Sequence, residues 1–232
     1  MTIPPSPVFA GLTERDRRVV LAAAEPRVLK PRAVLAREGD AATTFSVVQL
    51  GHLKLTKVSE DGHEMIVRFV GPGEPFAGVV AAGQATYPVS AIAIEPTRTL
   101  DWTRDVLLTL VTEFPRLKAN IVDQITQHMT DALTRVQELT TDRVEVRLAR
   151  ALIRLAAHGG LQTPVGVEIA HPVTRQELAD LISATLFTVS RLLARWEQQG
   201  LVATERRHIV IAKPEGLAVL ARTSPRRRRP EH

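Results

Sequence analysis

Side chains suited to nucleic-acid recognition cluster in one short stretch, "TRQELADLISATLFTVSRLLARWEQQGLV", Thr174 to Val202. Arginine can bond guanine through two hydrogen bonds or bind a phosphate, and threonine and serine hydroxyls can reach phosphates or base edges. An aromatic ring, here that of Phe187, can contact the methyl group of thymine. These residue types on one exposed helix indicate binding in a DNA groove.

The spacing of polar and small residues predicts a helix at the start of this stretch. Thr174 and Glu177 have the spacing of a capping box, so the helix is expected to begin at Arg175. Two helices joined by a short turn need small residues where their backbones approach, and Ala179 and Ser183 meet that need. Glycine is the usual occupant of the turn position, so Ser183 is a departure.

A second helix is predicted from about Leu186 to Gln198, ending at Gly200. Its apolar residues recur at helical spacing and can face inward, which leaves a polar outer face. The inward residues are Val189, Leu192, Leu193 and Trp196. The two helices together have the spacing of a helix-turn-helix. The alternative is an ordinary helical hairpin with a solvated polar face.

The next stretch, "LVATERRHIVIA", predicts two strands joined by a polar turn with basic side chains near its tip. A helix-turn-helix followed by such a hairpin makes a winged helix, whose wing would lie along the phosphate backbone. The candidate DNA contacts are Thr174, Arg175, Gln176, Thr185, Phe187, Thr188, Ser190, Arg191, Arg195, Arg206, Arg207 and His208.

The net charge of +5 lies entirely in the C-terminal part of the chain. From His171 onward there are 11 Lys and Arg against 6 Asp and Glu, whereas residues 1–170 hold 19 of each. A local basic excess is typical of a domain that binds a polyanion. A basic tail, residues 226–232, is the alternative source, because Arg226 to Arg229 supply four of these charges.

Composition excludes several classes of site. The 232 residues include no cysteine, which rules out disulfides, thiolate zinc sites and cysteine-ligated iron–sulfur clusters. No apolar run is long enough to span a membrane, and the N-terminus lacks the pattern of a secretion signal. We therefore expect a cytoplasmic protein of two domains that does not associate with membranes.

Short strands separated by turn signals fill residues 28–102. "HLKLTKV" and "EMIVRFV" alternate apolar and polar residues on either side of "SEDGHE", in which Asp61-Gly62 favours a hairpin turn. "EGD" and "GPGEPFAG" are further turn signals. The pattern predicts an antiparallel roll or barrel.

A long amphipathic helix is predicted after Pro115, up to residue 141. Its apolar residues recur every three or four positions in a narrow stripe of the kind that pairs two helices, so we expect homodimerisation through it. Packing along its own domain would leave a similar pattern. The expected dimer interface consists of Ile121, Ile125, Met129, Ala132, Val136 and Leu139.

Another helix is predicted in "TDRVEVRLARALIRLAAHGG". Thr141 or Asp142 is the expected cap, and Gly159-Gly160 is the expected stop. The boundary between the two domains is therefore expected near residues 140–142.

The order of these parts resembles the CRP/FNR family of bacterial transcription regulators. The resemblance covers roughly residues 10–220 and is carried by "REGD", "GHLKLTKVSEDGHEMIVRFVGPGEPFAG", the long helix and the helix-turn-helix stretch. It implies an α+β fold: a cyclic-nucleotide-binding-like antiparallel β-roll as sensor (1–112), a long dimerisation helix (113–141) and a C-terminal winged helix-turn-helix (142–225). It also implies a homodimeric, sequence-specific regulator, an activator, that binds double-stranded DNA at a two-fold symmetric site and contacts RNA polymerase.

The resemblance assigns roles to residues of the helix-turn-helix. Thr174, Arg175 and Gln176 match the family's backbone-contacting start of the first helix. Arg191 matches its base-reading arginine, and Ser190 is similar to the serine that precedes this arginine in the FNR-like branch. The glutamate often found three residues before that serine is Phe187 here, so the family's usual operator half-site is not expected.

The resemblance breaks down where a cyclic nucleotide would bind. Members that bind cyclic AMP carry a Gly-Glu-Leu loop for the ribose and an Arg-Ser or Arg-Thr pair for the phosphate. Val79 stands here in place of the acid and Tyr87-Pro88 in place of the pair, and a phosphate buried without a cation is costly. Cyclic AMP is therefore not expected to bind in the usual mode. The candidate ligand pocket consists of Val79, Val80, Tyr87, Pro88, Val89, Ala132 and Leu133.

Three alternatives remain for the effector: an apolar or haem ligand, an unrecognised effector, or none. "YPVSA" resembles the nitric-oxide-responsive branch of the family, some of whose members bind haem. His63 or His128 would then be the candidate iron ligand. A surface or hydrogen-bonded role is the alternative for each histidine, and no other metal site is predicted.

Two other classes of protein fit the sequence less well than a regulator. A cupin-like enzyme needs clustered histidines, but the two in the roll, His52 and His63, are eleven positions apart. We therefore do not expect this protein to be an enzyme. A stronger rival is a module that senses a ligand or a partner protein without reading DNA, against which the outward hydroxyls, Arg191 and the basic wing all argue.

Overall fold

The computed structural model describes residues 4–62, 64–83, 85–205 and 207–222, and the chain divides into two compact units. The first unit extends to Asp131 and the second begins at Ala132. None of the helices in the described ranges combines the length and apolarity needed to cross a membrane.

The first unit is built on eight strands. They are β1 (Glu25–Leu29), β2 (Val34–Ala36), β3 (Thr44–Leu50), β4 (Leu53–Val58), β5 (Glu64–Val70), β6 (Pro75–Phe76), β7 (Ser90–Ala93) and β8 (Thr97–Thr103). They form two antiparallel four-stranded sheets, ordered β1-β8-β3-β6 and β2-β7-β4-β5. Helix α1 (Glu14–Ala22) precedes β1 and helix α2 (Arg104–Glu113) follows β8. The predicted antiparallel roll is confirmed.

The core of the roll is centred on aromatic side chains. The buried ring of Trp102 lies 6.1 Å from that of Phe9 and 5.7 Å from that of Phe45. Its indole N–H donates a hydrogen bond to the carbonyl of Val20 at 2.8 Å, which satisfies the polar end of a buried tryptophan. This contact joins α1 to the sheets.

The predicted hairpin in the roll is also present. Strands β4 and β5 pair from Leu53 with Val70 to Val58 with Glu64. Gly62 has a φ of +80°, and its N–H donates to the carbonyl of Ser59 at 2.9 Å. Glycine adopts this left-handed conformation without the steric cost that other residues meet.

Helix α3 (Pro115–Thr141) confirms the predicted long helix, but its apolar stripe begins inside its own roll. Ile121 is 1% exposed and, with Leu117, belongs to the core of the first unit; Ile125 packs against that core. The assignment of Ile121 to a dimer interface is therefore wrong. An apolar stripe shows that a helix face is covered, but not which surface covers it.

The second half of the stripe is exposed in the single chain. The large apolar side chains on it are Met129, Leu133, Val136 and Leu139, and Ala132 lies among them. Exposed apolar residues grouped in this way mark an interaction surface more often than isolated ones do.

The last turns of α3 are joined to helix α4 (Val144–Ala157) by a buried carboxylate. Glu138 accepts hydrogen bonds from both terminal nitrogens of Arg154, at 2.7 and 3.1 Å, and lies 3.4 Å from Nη1 of Arg150. Arg150 also donates to Asp142 at 2.6 Å. These ion pairs hold the last turns of α3 to the second unit, and the first unit ends at Asp131, before the boundary at residues 140–142 expected from the sequence.

The second unit contains four helices in its described part. After α4 they are α5 (Arg175–Ile182), α6 (Leu186–Gln198) and α7 (Pro214–Arg222). Strands β9 (Leu161–Thr163), β10 (Gly166–Glu168), β11 (Val202–Glu205) and β12 (His208–Ile211) form one antiparallel sheet, ordered β11-β12-β10-β9.

The sequence predicted a cap and a stop for α4, and the structure agrees with only the second. Its N-cap is Arg143, whose side chain makes no capping bond, so the prediction of Thr141 or Asp142 as the cap is wrong. Asp142 is instead engaged by Arg150. The stop at Gly159-Gly160 is confirmed: Gly159 has a φ of +106°, and the N–H of Gly160 donates to the carbonyl of Ala156 at 2.8 Å.

Candidate nucleic-acid interface

A capping box fixes the start of α5, as the sequence predicts. The hydroxyl of Thr174 accepts a hydrogen bond from the N–H of Glu177 at 3.1 Å, and the Glu177 carboxylate accepts one from the N–H of Thr174 at 2.8 Å. The helix ends at Ile182, and the residue that follows it, Ser183, has a left-handed backbone with a φ of 50°. Arg147 of α4 donates to the carbonyl of Ser183 at 3.3 Å and so holds this turn. The departure from glycine is accommodated.

Helix α6 has the bounds expected from the sequence, and its inner face is buried. Thr185 caps it by accepting a hydrogen bond from the N–H of Thr188 at 3.2 Å. The apolar side chains expected to face inward are all buried: Val189, Leu192, Leu193 and Trp196. Their burial against the rest of the unit fixes which face of α6 meets solvent.

The outer face of α6 carries the candidate base-reading side chains. Thr185, Phe187, Arg191 and Arg195 are exposed, whereas Thr188 and Ser190 are half-buried. Arg191 and Phe187 are four positions apart and therefore share a face. The guanidinium carbon of Arg191 lies 6.0 Å from the centre of the Phe187 ring, within the range of a cation–π contact.

Arg195 is engaged within the unit. It forms an ion pair with Glu145 of α4, although both side chains are partly exposed. To bind a phosphate, Arg195 would have to exchange this carboxylate for it, whereas the contact of Arg191 with Phe187 leaves its hydrogen-bond donors for a base.

The start of α5 contacts the hairpin that follows α6. Arg175 and Gln176 are both exposed. Nη2 of Arg175 donates to the hydroxyl of Thr204 on β11 at 3.4 Å, and Gln176 donates to Asp180 at 2.7 Å. The first turn of α5 and the hairpin therefore lie side by side.

Strands β11 and β12 form the predicted wing, with Glu205 paired with His208 at its tip. Arg206 lies outside the described residues. Arg207 is exposed, with Nη2 at 4.0 Å from the carboxylate of Glu177, and Nδ1 of His208 lies 2.9 Å from the carboxylate of Glu168. Exposed pairs of this kind are weak, so a phosphate can compete for these side chains.

We expect Arg207→Ala to weaken binding to every DNA duplex and to flatten the dependence of log K on log salt. Loss of one phosphate contact lowers that slope by about 0.9, and a dimer would lose two such contacts. Fluorescence anisotropy titrations at several salt concentrations would measure it. Arg222→Ala, which removes an exposed arginine from the end of α7, is the matched control. An unchanged slope for Arg207→Ala would place this side chain away from DNA.

Comparisons with known proteins agree with this arrangement. The sequence model of the cyclic nucleotide-binding domain matches residues 26–114, and that of the Crp-like helix-turn-helix domain matches residues 146–220. The chain is 24% identical over 185 residues to the CRP-like cAMP-activated global transcriptional regulator of Mycobacterium tuberculosis, covering 80% of this chain and 83% of that one. It is 28% identical over 195 residues to the transcriptional activator protein FnrA of Stutzerimonas stutzeri, covering 84% and 80%.

The chain belongs to the CRP/FNR family.

Among solved structures, FixK2 from Bradyrhizobium japonicum has the same fold as this CRP/FNR family member. The TM-score is 0.77 at 21% identity, and the match covers 86% of this chain and 98% of the other. Both relatives named above are transcription regulators. The helix-turn-helix that the sequence predicts is therefore of the Crp-like type and not an ordinary helical hairpin.

Tyr87, which the resemblance places where cyclic-AMP-binding members carry a phosphate ligand, is part of the packing of the roll in this CRP/FNR family member. Tyr87 is buried and stacks on Phe76, with ring centres 5.7 Å apart. Its hydroxyl accepts from the N–H of Thr44 at 3.0 Å and is 3.2 Å from the Thr44 carbonyl, to which it can donate. Tyr87 therefore serves the packing of the roll, where a cyclic phosphate would need a cation.

The other candidate pocket residues are scattered between core and surface. Val80 is fully buried, Val79 and Val89 are half-buried, and Pro88 is exposed. Ala132 and Leu133 are exposed and belong to the second unit. The backbone of Gly78 lies close to α3, because a Cβ placed there would be 3.4 Å from Ile121.

Two arginines of the roll could in principle have replaced the missing phosphate ligand. Arg98 on β8 is exposed. Arg68 on β5 lies 3.9 Å from the carboxylate of Glu74, and burial lowers the pKa of its guanidinium while Glu74 and Asp131 raise it. Arg68 therefore already has a carboxylate partner within the roll.

The structure describes only one of the two candidate haem ligands. His128 is half-buried on α3, and His63 lies outside the described residues. Among the described residues, no three side chains of the metal-binding types are grouped so that they could hold a metal ion.

The sequence did not predict one exposed residue of α6 or the two carboxylates that pair with candidate DNA-contacting side chains. Leu186 is exposed at the first position of α6, although its spacing from Val189 and Leu193 favours an inward position. Glu145 and Glu168 engage Arg195 and His208 from positions 50 and 40 residues away. Sequence spacing carries no signal for such distant pairs.

Proposed function

We propose that this chain is a sequence-specific DNA-binding transcription regulator that acts as a homodimer, with α6 in the major groove. The observation that carries this proposal is the two-sided character of α6. Its inner face is buried, and its exposed outer face presents Arg191 beside Phe187. An arginine at the solvent side of a recognition helix can bond both acceptors of guanine.

The exposed half of the α3 stripe supports the dimer. Leu133 and Val136 are 64% and 59% exposed in the single chain, and both lie on a continuous helix. A second copy of α3 would cover them in a two-helix seam. Two copies of α6 related by a two-fold axis would then read two half-sites of inverted sequence.

Selection of bound duplexes from random sequence tests the proposal directly. We expect enrichment of a two-fold symmetric site whose half-sites are about one helical turn, roughly 34 Å, apart. Absence of any enriched sequence would favour the alternative, a module that senses a ligand or a partner protein without reading DNA. On the strength of the family alone, RNA polymerase is the expected further partner and the cytoplasm the expected compartment.

We further propose that cyclic AMP does not control this regulator. A buried cyclic phosphate needs charge-assisted hydrogen bonds to offset its desolvation, and neither Val79 nor the Tyr87-Pro88 pair supplies them. We expect no binding of cyclic AMP at micromolar concentrations in titration calorimetry and no change in operator affinity. Micromolar binding together with tighter operator binding would contradict this expectation.

A further inference from the structure

The first turn of α6 exposes two large apolar side chains next to each other. Phe187 is 75% exposed and Leu186 is 45% exposed, whereas the apolar residues of the inner face are buried. Single exposed apolar residues are ordinary, but two together at the start of a recognition helix are not explained by packing within the chain. In a helix-turn-helix, the N-terminal residues of the recognition helix are those that contact base edges.

The chemistry of the pair selects one feature of the major groove. Among the four bases only thymine presents a methyl group there, whereas cytosine presents an amino donor. An aromatic ring placed against cytosine would remove water from that donor without accepting its hydrogen bond, which costs free energy. Against thymine the same ring buries a methyl group.

The contact between Phe187 and Arg191 limits how far apart the two bases that they contact can be. The guanidinium carbon lies 6.0 Å from the ring centre, so the two side chains reach points close together in the groove. Successive base pairs are about 3.4 Å apart along one strand. A guanine bonded by Arg191 and a base touched by Phe187 should therefore lie within two base pairs of each other.

We propose that Phe187, with Leu186 beside it, reads the methyl group of a thymine within two base pairs of the guanine that Arg191 reads. This inference rests on the proposed function, because it assumes that α6 enters the major groove. It assigns to Phe187 a specificity for thymine over cytosine.

The test removes the methyl group and nothing else. In the selected operator, each thymine is replaced in turn by deoxyuridine, in both half-sites together, and affinity is measured by fluorescence anisotropy. Removal of one buried methyl contact should weaken binding about fourfold per half-site, or roughly sixteenfold for the dimer. We expect this loss at one position per half-site, within two base pairs of the guanine that Arg191 reads.

Variants then assign the effect to the side chain. Phe187→Ala should bind the thymine and deoxyuridine duplexes equally at that position, and the high exposure of Phe187 means that the variant should retain its fold. Val165→Ala, which removes an exposed valine between β9 and β10, is the matched control and should keep the full loss. Circular dichroism of all three proteins checks that they fold alike.

Each outcome separates the inference from the proposed function. If specific binding were unchanged by deoxyuridine at every position, the proposed recognition of thymine would be wrong, but the proposed function as a DNA-binding regulator would stand. A loss that persists in Phe187→Ala would show that another side chain touches the methyl group. If no DNA sequence were selected at all, the proposed function would fail with the inference.

Discussion

Leu133→Glu combined with Val136→Glu is expected to convert the protein to a monomer and to lower its affinity for a two-fold symmetric operator by about 10²- to 10⁴-fold. Each substitution would place a carboxylate in a seam of apolar side chains, where an unpaired charge is costly. Glutamate is a good helix former, so α3 itself should persist. The monomer would lose the gain that a linked second half-site provides.

Analytical ultracentrifugation would give the mass of the double variant, and anisotropy titrations would compare full operators with single half-sites. Val219→Glu is the matched control, because Val219 is 66% exposed on α7, away from the stripe. The control should remain dimeric and bind normally. Intact dimers of the double variant would show that a different surface joins the two chains.

Arg191→Ala is expected to lower affinity for the selected operator by about 1–3 kcal/mol per half-site, roughly 5- to 150-fold, and to relax the preference at one base pair in each half-site. Arg191→Lys should recover affinity for DNA in general but not that preference, because lysine lacks the planar pair of donors. Repeating the selection with each variant measures both effects.

Arg195→Ala serves as the comparison for this result, since Arg195 lies on the same helix but is paired with Glu145. We expect it to weaken binding without changing the preferred sequence. Equal losses on operator and random DNA for Arg191→Ala would mean that Arg191 contacts only phosphate.

The helix-turn-helix could be located from the sequence because its signals are local. The capping box of Thr174 and Glu177 and the bounds of α6 depend on residues within one or two turns of each other. The β4–β5 hairpin is equally local, since one short turn sets its register.

Features that depend on distant residues could not be predicted in the same way. The stripe of α3 gave the same spacing to Ile121, which its own roll buries, and to Val136, which is exposed. Asp142 carries the residue type of a cap but is drawn to Arg150. Strands β9 and β10 are three residues long, too short for alternation to reveal them.

The sequence showed that Tyr87 replaces a residue type that binds phosphate in related proteins, but it did not show what Tyr87 contacts instead. Tyr87 stands where the resemblance places a phosphate ligand, and in the structure its ring stacks on Phe76 and its hydroxyl bonds Thr44, 43 residues earlier. What reads as a missing ligand in the sequence is a packing residue in the roll.

The ion pairs of Glu138 determine where this protein can be cut and rejoined with a relative. A chimera spliced at Thr141, the end of α3, would place a foreign side chain opposite Arg154 where Glu138 now accepts its hydrogen bonds. A chimera spliced between Asp131 and Ala132 would carry the carboxylate together with both of its arginines. A chimera that keeps these ion pairs therefore takes the second unit together with the last turns of α3.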